Sequence, residues 1–356
     1  MYEVKTVIIN IIIPFKRLSG GIKVAFLYAN YLVEQGHDVK VYMPMVSYPG
    51  KGQSIPFRIK ASISNTFKPE HWFDRKFELK TVPLIKPRYI RDADITIATA
   101  WQTAYDVKVL PKRCGEKVYL IQDYEIFGGS EEQVDGSYKL GLNSITITQS
   151  LANLLKDKFD VESTVIYNGL DSHEFYDGVK EKHKAPSVMM LYHESVHKGA
   201  KEGMVVIDHL KKKYPDMKVN MFGRRKGNDI PGYVNFLENP PRDQLMKMYQ
   251  SSDIYLFTSQ MEAWGLPVME AMANKCVVIG FNVGAMAEVH TPENSIRIDE
   301  IDYGKMEEAV EALIQNPGWI RPMQEAAYQT ARQFEWGTQY KKFEKYLIAM
   351  VEIRNE

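Results

Sequence analysis

Two glutamates, Glu262 and Glu270, bracket the segment Ala263-Trp264-Gly265-Leu266-Pro267-Val268-Met269. The apolar run Ile254–Phe257 reads as a strand ending just before them. A helix is expected from Pro267 to Ala273, because proline suits a first helical turn. Gly265 would let the backbone approach a ligand closely, and a helix N-terminus offers unpaired amides and positive potential to an anion. A pair of carboxylates beside an anion site is costly unless each accepts hydrogen bonds from hydroxyls. A sugar supplies hydroxyls, so the segment suits recognition of a sugar joined to phosphate. The plainer alternative is that Glu262 caps the helix while Glu270 faces solvent.

Such a junction needs strands and helices to hold it. Val7–Ile13 is apolar and β-branched, interrupted only by Asn10, as expected of a parallel strand covered on both faces. Ser19-Gly20-Gly21 reads as a small-residue loop. Ile22, Ala25, Phe26, Ala29, Leu32 and Val33 follow at helical spacing up to Gly36, and Val39–Met43 is a second strand. This β–loop–α–β unit is the building block of a doubly wound sheet. Further strands are expected at Ile95–Ala98, Val118–Gln122, Ile145–Thr148 and Thr164–Tyr167. The polar stretch after Asn168-Gly169-Leu170-Asp171 reads as a linker, and the pattern restarts with strands Val188–Tyr192, Lys218–Phe222, Ile254–Phe257 and Val277–Phe281. Helices Met204–Lys213, Asp243–Gln250 and Lys305–Gln315 alternate with them. The fold class is α/β, with domains at 1–170 and 187–337, a linker at 171–186 and a last helix within 338–356.

Composition narrows the function. A chain of 356 residues is too long for one core and ample for two. Lysines plus arginines and aspartates plus glutamates both number 45, so no overall field points to nucleic acid. Two distant cysteines, Cys114 and Cys276, form neither a disulfide scaffold nor a zinc set. No apolar run reaches membrane-spanning length, and the first residues lack a cleavable signal pattern, so a cytoplasmic location is expected. Asp92-Ala93-Asp94 imitates a metal-binding motif but precedes a strand, at the end away from a ligand cleft. Gly223 and Gly227 do not complete a dinucleotide fingerprint.

Glu262 and Glu270 with the internal Trp-Gly-Leu-Pro resemble the signature of retaining, family 4 type glycosyltransferases of the GT-B fold. Gly20-Gly21 followed by Leu32, Gly36, His37 and Val39 is similar to that family's first loop and helix. Asn168-Gly169-Leu170-Asp171 resembles the end of its first domain, Lys198-Gly199 its lysine–glycine pair, and Gly284 to Glu288 a later loop. The resemblance implies two Rossmann-like domains facing across a cleft, with the final helix crossing back to the first. It implies that Glu262 binds hydroxyls of a donor sugar and Glu270 the ribose of its nucleotide. The amides of Gly265 and Leu266 would hold the diphosphate, and Lys198 would neutralise it as it leaves. Gly20 and Gly21 would lie against donor phosphates or acceptor. No metal and no cofactor beyond the nucleoside-diphosphate sugar itself are implied.

Two departures from the pattern stand out. The family's arginine, about five residues before its lysine, is replaced by His193, so either His193 or Arg224-Arg225 would supply the second cation. The first domain's histidine is replaced by Thr99-Ala100-Trp101-Gln102-Thr103, and Asp123, in the loop after Val118–Gln122, becomes the carboxylate nearest the reacting centre. Residues 51–91 hold ten basic residues against Glu70, Asp74 and Glu78, interleaved with Phe57, Phe67, Trp72, Phe73, Phe77 and Tyr89. That mixture suits an anionic membrane surface on the inner face of the cell membrane, or a solvated loop whose rings tuck into the first domain. The expected activity is sugar transfer with retention to a glycan or lipid-linked acceptor in surface polysaccharide assembly, with rhamnose as a candidate sugar. A nucleotide-sugar epimerase and a non-catalytic sugar- or nucleotide-binding protein are the alternatives.

Overall fold

The apolar run at the start of the chain becomes the middle of a sheet. In the computed structural model, which describes residues 6–48, 54, 56, 60, 62–63, 72–125, 129–180 and 186–355, strand β1 (Ile8–Ile12) is hydrogen-bonded on both sides. Asn10 fits this buried position because its side chain is satisfied by Arg91. Its Nδ2 donates to the Arg91 carbonyl at 3.1 Å, and its Oδ1 accepts from Arg91 Nε at 3.2 Å.

The chain divides into two compact units, Met1–Asn168 with Gln339–Glu356, and Gly169–Thr338. In the first, β1 is joined by β2 (Asp38–Pro44), β3 (Glu78–Val82), β4 (Ile95–Ala98), β5 (Glu116–Ile121), β6 (Asn143–Thr146) and β7 (Ser163–Val165). All pairings are parallel, in the order β3-β2-β1-β4-β5-β6-β7. Helices α1 (Gly20–Glu34), α2 (Trp101–Lys108), α3 (Glu131–Tyr138) and α4 (Gln149–Phe159) alternate with the strands. Ser19 is the N-cap of α1, its hydroxyl accepting from the Ile22 amide at 3.4 Å. Gly20 and Gly21 are therefore the first turn of the helix, not the loop expected from sequence.

The second unit repeats the scheme with β8 (Val188–Tyr192), β9 (Val219–Gly223), β10 (Val234–Glu238), β11 (Ile254–Phe257), β12 (Val277–Phe281) and β13 (Ser295–Ile298). Its order is β10-β9-β8-β11-β12-β13, again all parallel. Its helices are α5 (Ala200–Lys213), α6 (Arg242–Gln250), α7 (Leu266–Ala273), α8 (Ala285–Val289), α9 (Tyr303–Gln315) and α10 (Ile320–Arg332). In each unit the strand order reverses once, between β1 and β4 and between β8 and β11. In sheets of this type ligands bind beyond the carboxyl ends of the strands at that reversal.

The stretch expected as a linker is partly built into the second unit. Leu170 pairs with the backbone around Glu335, accepting from the Trp336 amide at 3.0 Å and donating to the Phe334 carbonyl at 2.9 Å. Phe175 is buried, and the Tyr176 amide donates to the Ala273 carbonyl at 3.0 Å. Residues 181–185 of that stretch lie outside the described residues. The last helix, α11 (Trp336–Asn355), joins the first unit from Gln339 onward. There Phe343 stacks on Tyr28 with ring centroids 4.0 Å apart and Tyr340 on Tyr31 at 4.8 Å. Glu344 accepts from the Tyr31 hydroxyl at 2.7 Å and lies 3.1 Å from His37 Nε2. His37 Nδ1 takes the Val7 amide at 3.2 Å, so Nε2 carries the proton and donates to Glu344.

Candidate active site

The strand reversal of the second unit gathers the expected residues. After β8 the chain turns through Val196–Lys198 into α5, and after β11 it runs through Ser259 to Glu262 into α7. Two hydrogen bonds fasten these loops together: the Thr258 hydroxyl donates to the Lys198 carbonyl at 2.8 Å, and the Gln260 amide donates to the His197 carbonyl at 2.8 Å. Gly199 sits between them at φ +62°, where a Cβ would stand 2.2 Å from the Thr258 carbonyl oxygen and 2.1 Å from the Tyr303 hydroxyl. Only glycine fits there. Tyr303, at the start of α9, donates to the Thr258 carbonyl at 3.1 Å and accepts from Gln260 Nε2 at 3.1 Å.

So clamped, Lys198 and Glu262 form a direct ion pair between Nζ and Oε1, and the Ser259 hydroxyl adds a contact to the same oxygen at 3.3 Å. Glu262 thus faces Lys198 and does not cap α7. The N-cap is Gly265, at φ +85°, which no side-chain-bearing residue adopts cheaply. Pro267 has no N–H, and the Val268 amide donates to the Gly265 carbonyl at 2.9 Å. The amides left at the helix start are those of Gly265 and Leu266. Trp264, between them and Glu262, is buried with its ring 5.5 Å from that of Phe334.

Glu270 does not face solvent. It is buried one turn into α7, its Oε2 accepting from the Tyr249 hydroxyl at 3.1 Å and its Oε1 lying 2.8 Å from Arg242 NH2. Arg242 also holds Glu174 Oε1 at 2.7 Å through Nε and NH2. Burial works against the Arg242 charge, but the Glu174 hydrogen bond and the Glu270 charge outweigh it and hold its pKa above the ordinary arginine value. Burial, reinforced by the Glu270 charge, pushes Tyr249 far above the usual phenol range, so it stays a donor.

The replacements for the missing arginine stand at neighbouring strand ends. Tyr192 and Gly223 are paired across β8 and β9, so His193 and Arg224, the next residue on each, emerge side by side. His193 is exposed, its Nδ1 accepting from the Ser195 amide at 3.0 Å. Arg224 and Arg225 are exposed in the turn after β9.

Gly20, Gly21 and Asp123 lie in the first unit. Gln122, at the end of β5, donates through Nε2 to the Gly21 carbonyl at 3.0 Å, which brings the start of α1 against the loop that carries Asp123. Asp123 is exposed and its Oδ1 accepts from the Tyr124 amide at 2.8 Å, as an aspartate capping a turn does. The more unusual carboxyl is Glu125. Its Oε2 accepts from the Trp101 amide at 2.7 Å, at the start of α2, where Ala100 supplies no cap. Burial pushes Glu125 up to about 7, against the pull of the Trp101 amide and with the Asp123 charge adding to the rise. Asp92 and Asp94, by contrast, are in structural use at the amino end of β4: Asp92 pairs with Arg113, and Asp94 Oδ2 accepts from the Ile8 amide at 2.8 Å.

Residues 174–334 match the family model for glycosyl transferases group 1. Over that region the chain is similar to the group 1 glycosyl transferases. A protein described as an uncharacterized glycosyltransferase of Haemophilus influenzae is 27% identical over 185 residues, which is 49% of this chain and 52% of that protein. A D-inositol 3-phosphate glycosyltransferase of Corynebacterium diphtheriae is 30% identical over 112 residues, 31% of this chain and 26% of that protein. The chain thus spans about half the length of the first and about a quarter of the second. Among solved structures, Anabaena HepE in complex with UDP-glucose superposes with a TM-score of 0.71 at 14% identity, covering 97% of this chain and all (100%) of that one. Sucrose-phosphate synthase from Thermosynechococcus elongatus gives 0.69 at 12% identity, covering 98% and 100%. The fold is GT-B, as the sequence implied.

Within the region that matches the group 1 model, sequence reasoning missed Arg242, Tyr249 and Glu174. A signal existed: Arg242 and Tyr249 are seven residues apart, so they share one face of α6. Their partner could not be read, because α6 meets α7 only in the folded unit. The basic stretch 51–91 divides. Residues 51–53, 55, 57–59, 61 and 64–71 lie outside the described residues, and with them Lys51, Arg58, Lys68, Phe57 and Phe67. Trp72, Phe73 and Phe77 are not spread on the surface: all three pack on Phe26, with centroids 5.3, 5.3 and 5.0 Å away. Lys76 pairs with Glu34, and Arg91 with Asp38 at 2.7 Å. Lys80, Lys86 and Arg88 are exposed.

Proposed function

We propose that the protein is a glycosyltransferase that moves a sugar, with retention of anomeric configuration, from a nucleoside-diphosphate sugar to a glycan or lipid-linked glycan acceptor in surface polysaccharide assembly. The observation that carries this reading is the arrangement at one strand reversal of Lys198, Glu262, the amide-bearing start of α7 and Glu270. A diphosphate would draw the Lys198 ammonium and the Gly265 and Leu266 amides, freeing Glu262 to accept sugar hydroxyls. Glu270 would take the ribose. Stabilising charge as it gathers on the leaving diphosphate is the largest contribution such a site makes. Attack from the same face, with the leaving diphosphate helping to take the acceptor proton, then requires no protein nucleophile. His193, Arg224 or Arg225 would supply further positive charge, and within the first unit Gly20, Gly21 and Asp123 would meet the acceptor. Rhamnose is a candidate sugar.

Known relatives support the donor class: HepE is described with UDP-glucose, with UDP and glucose, and with UDP. The reading uses no divalent ion, since Lys198 and the helix start provide the positive charge. No helix among the described residues is long and apolar enough to cross a membrane. The reading has the protein act in the cytoplasm, at the inner face of the membrane, with Lys80, Lys86 and Arg88 as the contacts.

The test is mass spectrometry of reactions containing nucleoside-diphosphate sugars, with and without glycan acceptors, in excess EDTA. Acceptor-dependent mass gain of one sugar, with the anomeric bond retained by NMR, is expected. Loss of turnover in EDTA, restored by magnesium, would remove the metal-independent part. Donor conversion without acceptor would make the protein an epimerase, and binding without turnover a non-catalytic receptor.

A further inference from the structure

Glu270 has a long side chain that could sample several rotamers, yet it is held at both oxygens from one helix. Arg242 opens α6 and Tyr249 lies two turns on, so one face of α6 presents a guanidinium and a phenol to the neighbouring α7. NH2 of Arg242 lies 2.8 Å from Oε1, and the Tyr249 hydroxyl donates to Oε2 at 3.1 Å. The same guanidinium is steadied on its other side by Glu174, whose backbone carbonyl accepts from Asn274 Nδ2 at 2.9 Å just past the end of α7. A carboxylate has about four acceptor positions, two on each oxygen. Arg242 and Tyr249 use one on each, which leaves one on each.

We infer that Arg242, with Tyr249, is a positioning residue that fixes Glu270 so that its two oxygens meet two adjacent hydroxyls, making the site selective for ribonucleoside over 2′-deoxyribonucleoside diphosphates. This deepens the proposed function and rests on its assignment of Glu270 to the nucleotide's sugar. A nucleotide with both the 2′- and 3′-hydroxyls fills both remaining positions. A 2′-deoxynucleotide fills one and leaves the other oxygen short of a partner in a buried place, where a lost hydrogen bond to a charged group is costly. Removing Arg242 acts through geometry: the Glu174 and Glu270 carboxylates lose the nitrogen they share, repel one another, and Glu270 is no longer held in the orientation that reads both hydroxyls. Arg242 acts through Glu270 and Glu174, which are its charged contacts.

The experiment compares dissociation constants of full-length wild type for UDP against dUDP and for GDP against dGDP, by calorimetry, with Arg242→Gln, Arg242→Lys and Tyr249→Phe. Wild type is expected to favour the ribo form of the nucleotide it binds by on the order of tenfold to a hundredfold. Arg242→Gln should bring that ratio close to one, Arg242→Lys should restore part of it, and Tyr249→Phe should lower it by a smaller factor. A merely structural role would weaken both forms alike and leave the ratio unchanged. An unchanged ratio in Arg242→Gln overturns the inference, as does a wild type that binds both forms equally. If Arg242→Gln does not fold, Tyr249→Phe decides by the same ratio. Absence of any nucleoside-diphosphate binding by wild type would instead overturn the proposed function on which the inference stands.

Discussion

The strand ends of the two units hold their charges in different ways. In the second unit, charges come in matched sets: Lys198 with Glu262, and Arg242 between Glu174 and Glu270. In the first, the ends of β4 and β5 present mainly neutral groups. The Thr99 hydroxyl donates to the Ile12 carbonyl at 2.9 Å, and Gln122 holds Gly21. The charged groups there are Asp123, exposed, and Glu125, set against the Trp101 amide with Tyr119 and Tyr138 close by. A bound diphosphate needs fixed positive charge with counter-charges that can give way, and the second unit has it. An uncharged glycan needs hydrogen-bonding groups and few fixed charges, and the first unit is suited to that. The proposed function thus assigns two chemistries to one fold built twice, and the observed difference lies in the loops after equivalent strands.

The comparison breaks most readily at Lys198. Lys198→Ala should lower the rate at saturating donor by a factor of about 10² to 10³, because its charge matters most as the bond to phosphate breaks. Binding of the donor should suffer much less, since Glu270 and the α7 amides remain. An unchanged saturated rate would transfer the role to Arg224 or Arg225. A smaller effect is expected from the first unit's exposed cations. Lys80→Glu, Lys86→Glu and Arg88→Glu together should reduce co-sedimentation with vesicles containing anionic lipid, each cation contributing on the order of 1 kcal/mol, and transfer to a soluble acceptor analogue should persist. Equal binding to neutral vesicles would remove the membrane contact from the account.

The smallest effect concerns Glu125. Its folded value, about 7, lies above the ordinary 4.5, so its contribution to stability is fully present below about 4.5 and is lost as pH rises through 7. The melting temperature of the wild type should therefore carry a downward component between those values. Glu125→Gln should flatten that component by a few degrees at most, as measured by calorimetric scans from pH 5 to 8. An identical pH profile in the variant would mean that Glu125 is solvated, and would weaken the contrast between the two units.

Much of this was legible in the chain itself. The buried strands β8, β11 and β12 coincide with uninterrupted apolar runs, and β4 with one broken only by Thr96. A parallel strand covered on both faces admits a polar residue only where its hydrogen bonds are met, as the Cys114 carbonyl does for the Thr96 hydroxyl at 2.7 Å. β3, β10 and β13 were not read, since they are edge strands that mix polar with apolar residues: β3 runs Glu-Leu-Lys-Thr-Val with Glu78 and Lys80 exposed. Glu262, Glu270 and Gly265 could be found because their spacing is local, one loop and one helical turn. Arg242 and Glu174 could not, because they approach Glu270 from other elements. Glu125 was passed over in favour of Asp123, since nothing in the sequence tells which of two carboxylates in one loop turns inward onto a helix start.

The central claim is that the second unit is built to bind a nucleoside-diphosphate sugar through Glu270 and Lys198. Calorimetric titration of the full-length protein with UDP, GDP, dTDP and their sugars, repeated with Glu270→Ala, tests it most directly. The account predicts saturable binding of at least one of these, weakened on the order of tenfold or more by Glu270→Ala. Binding that is undiminished in Glu270→Ala, or no binding of any of them at millimolar concentration, would contradict it.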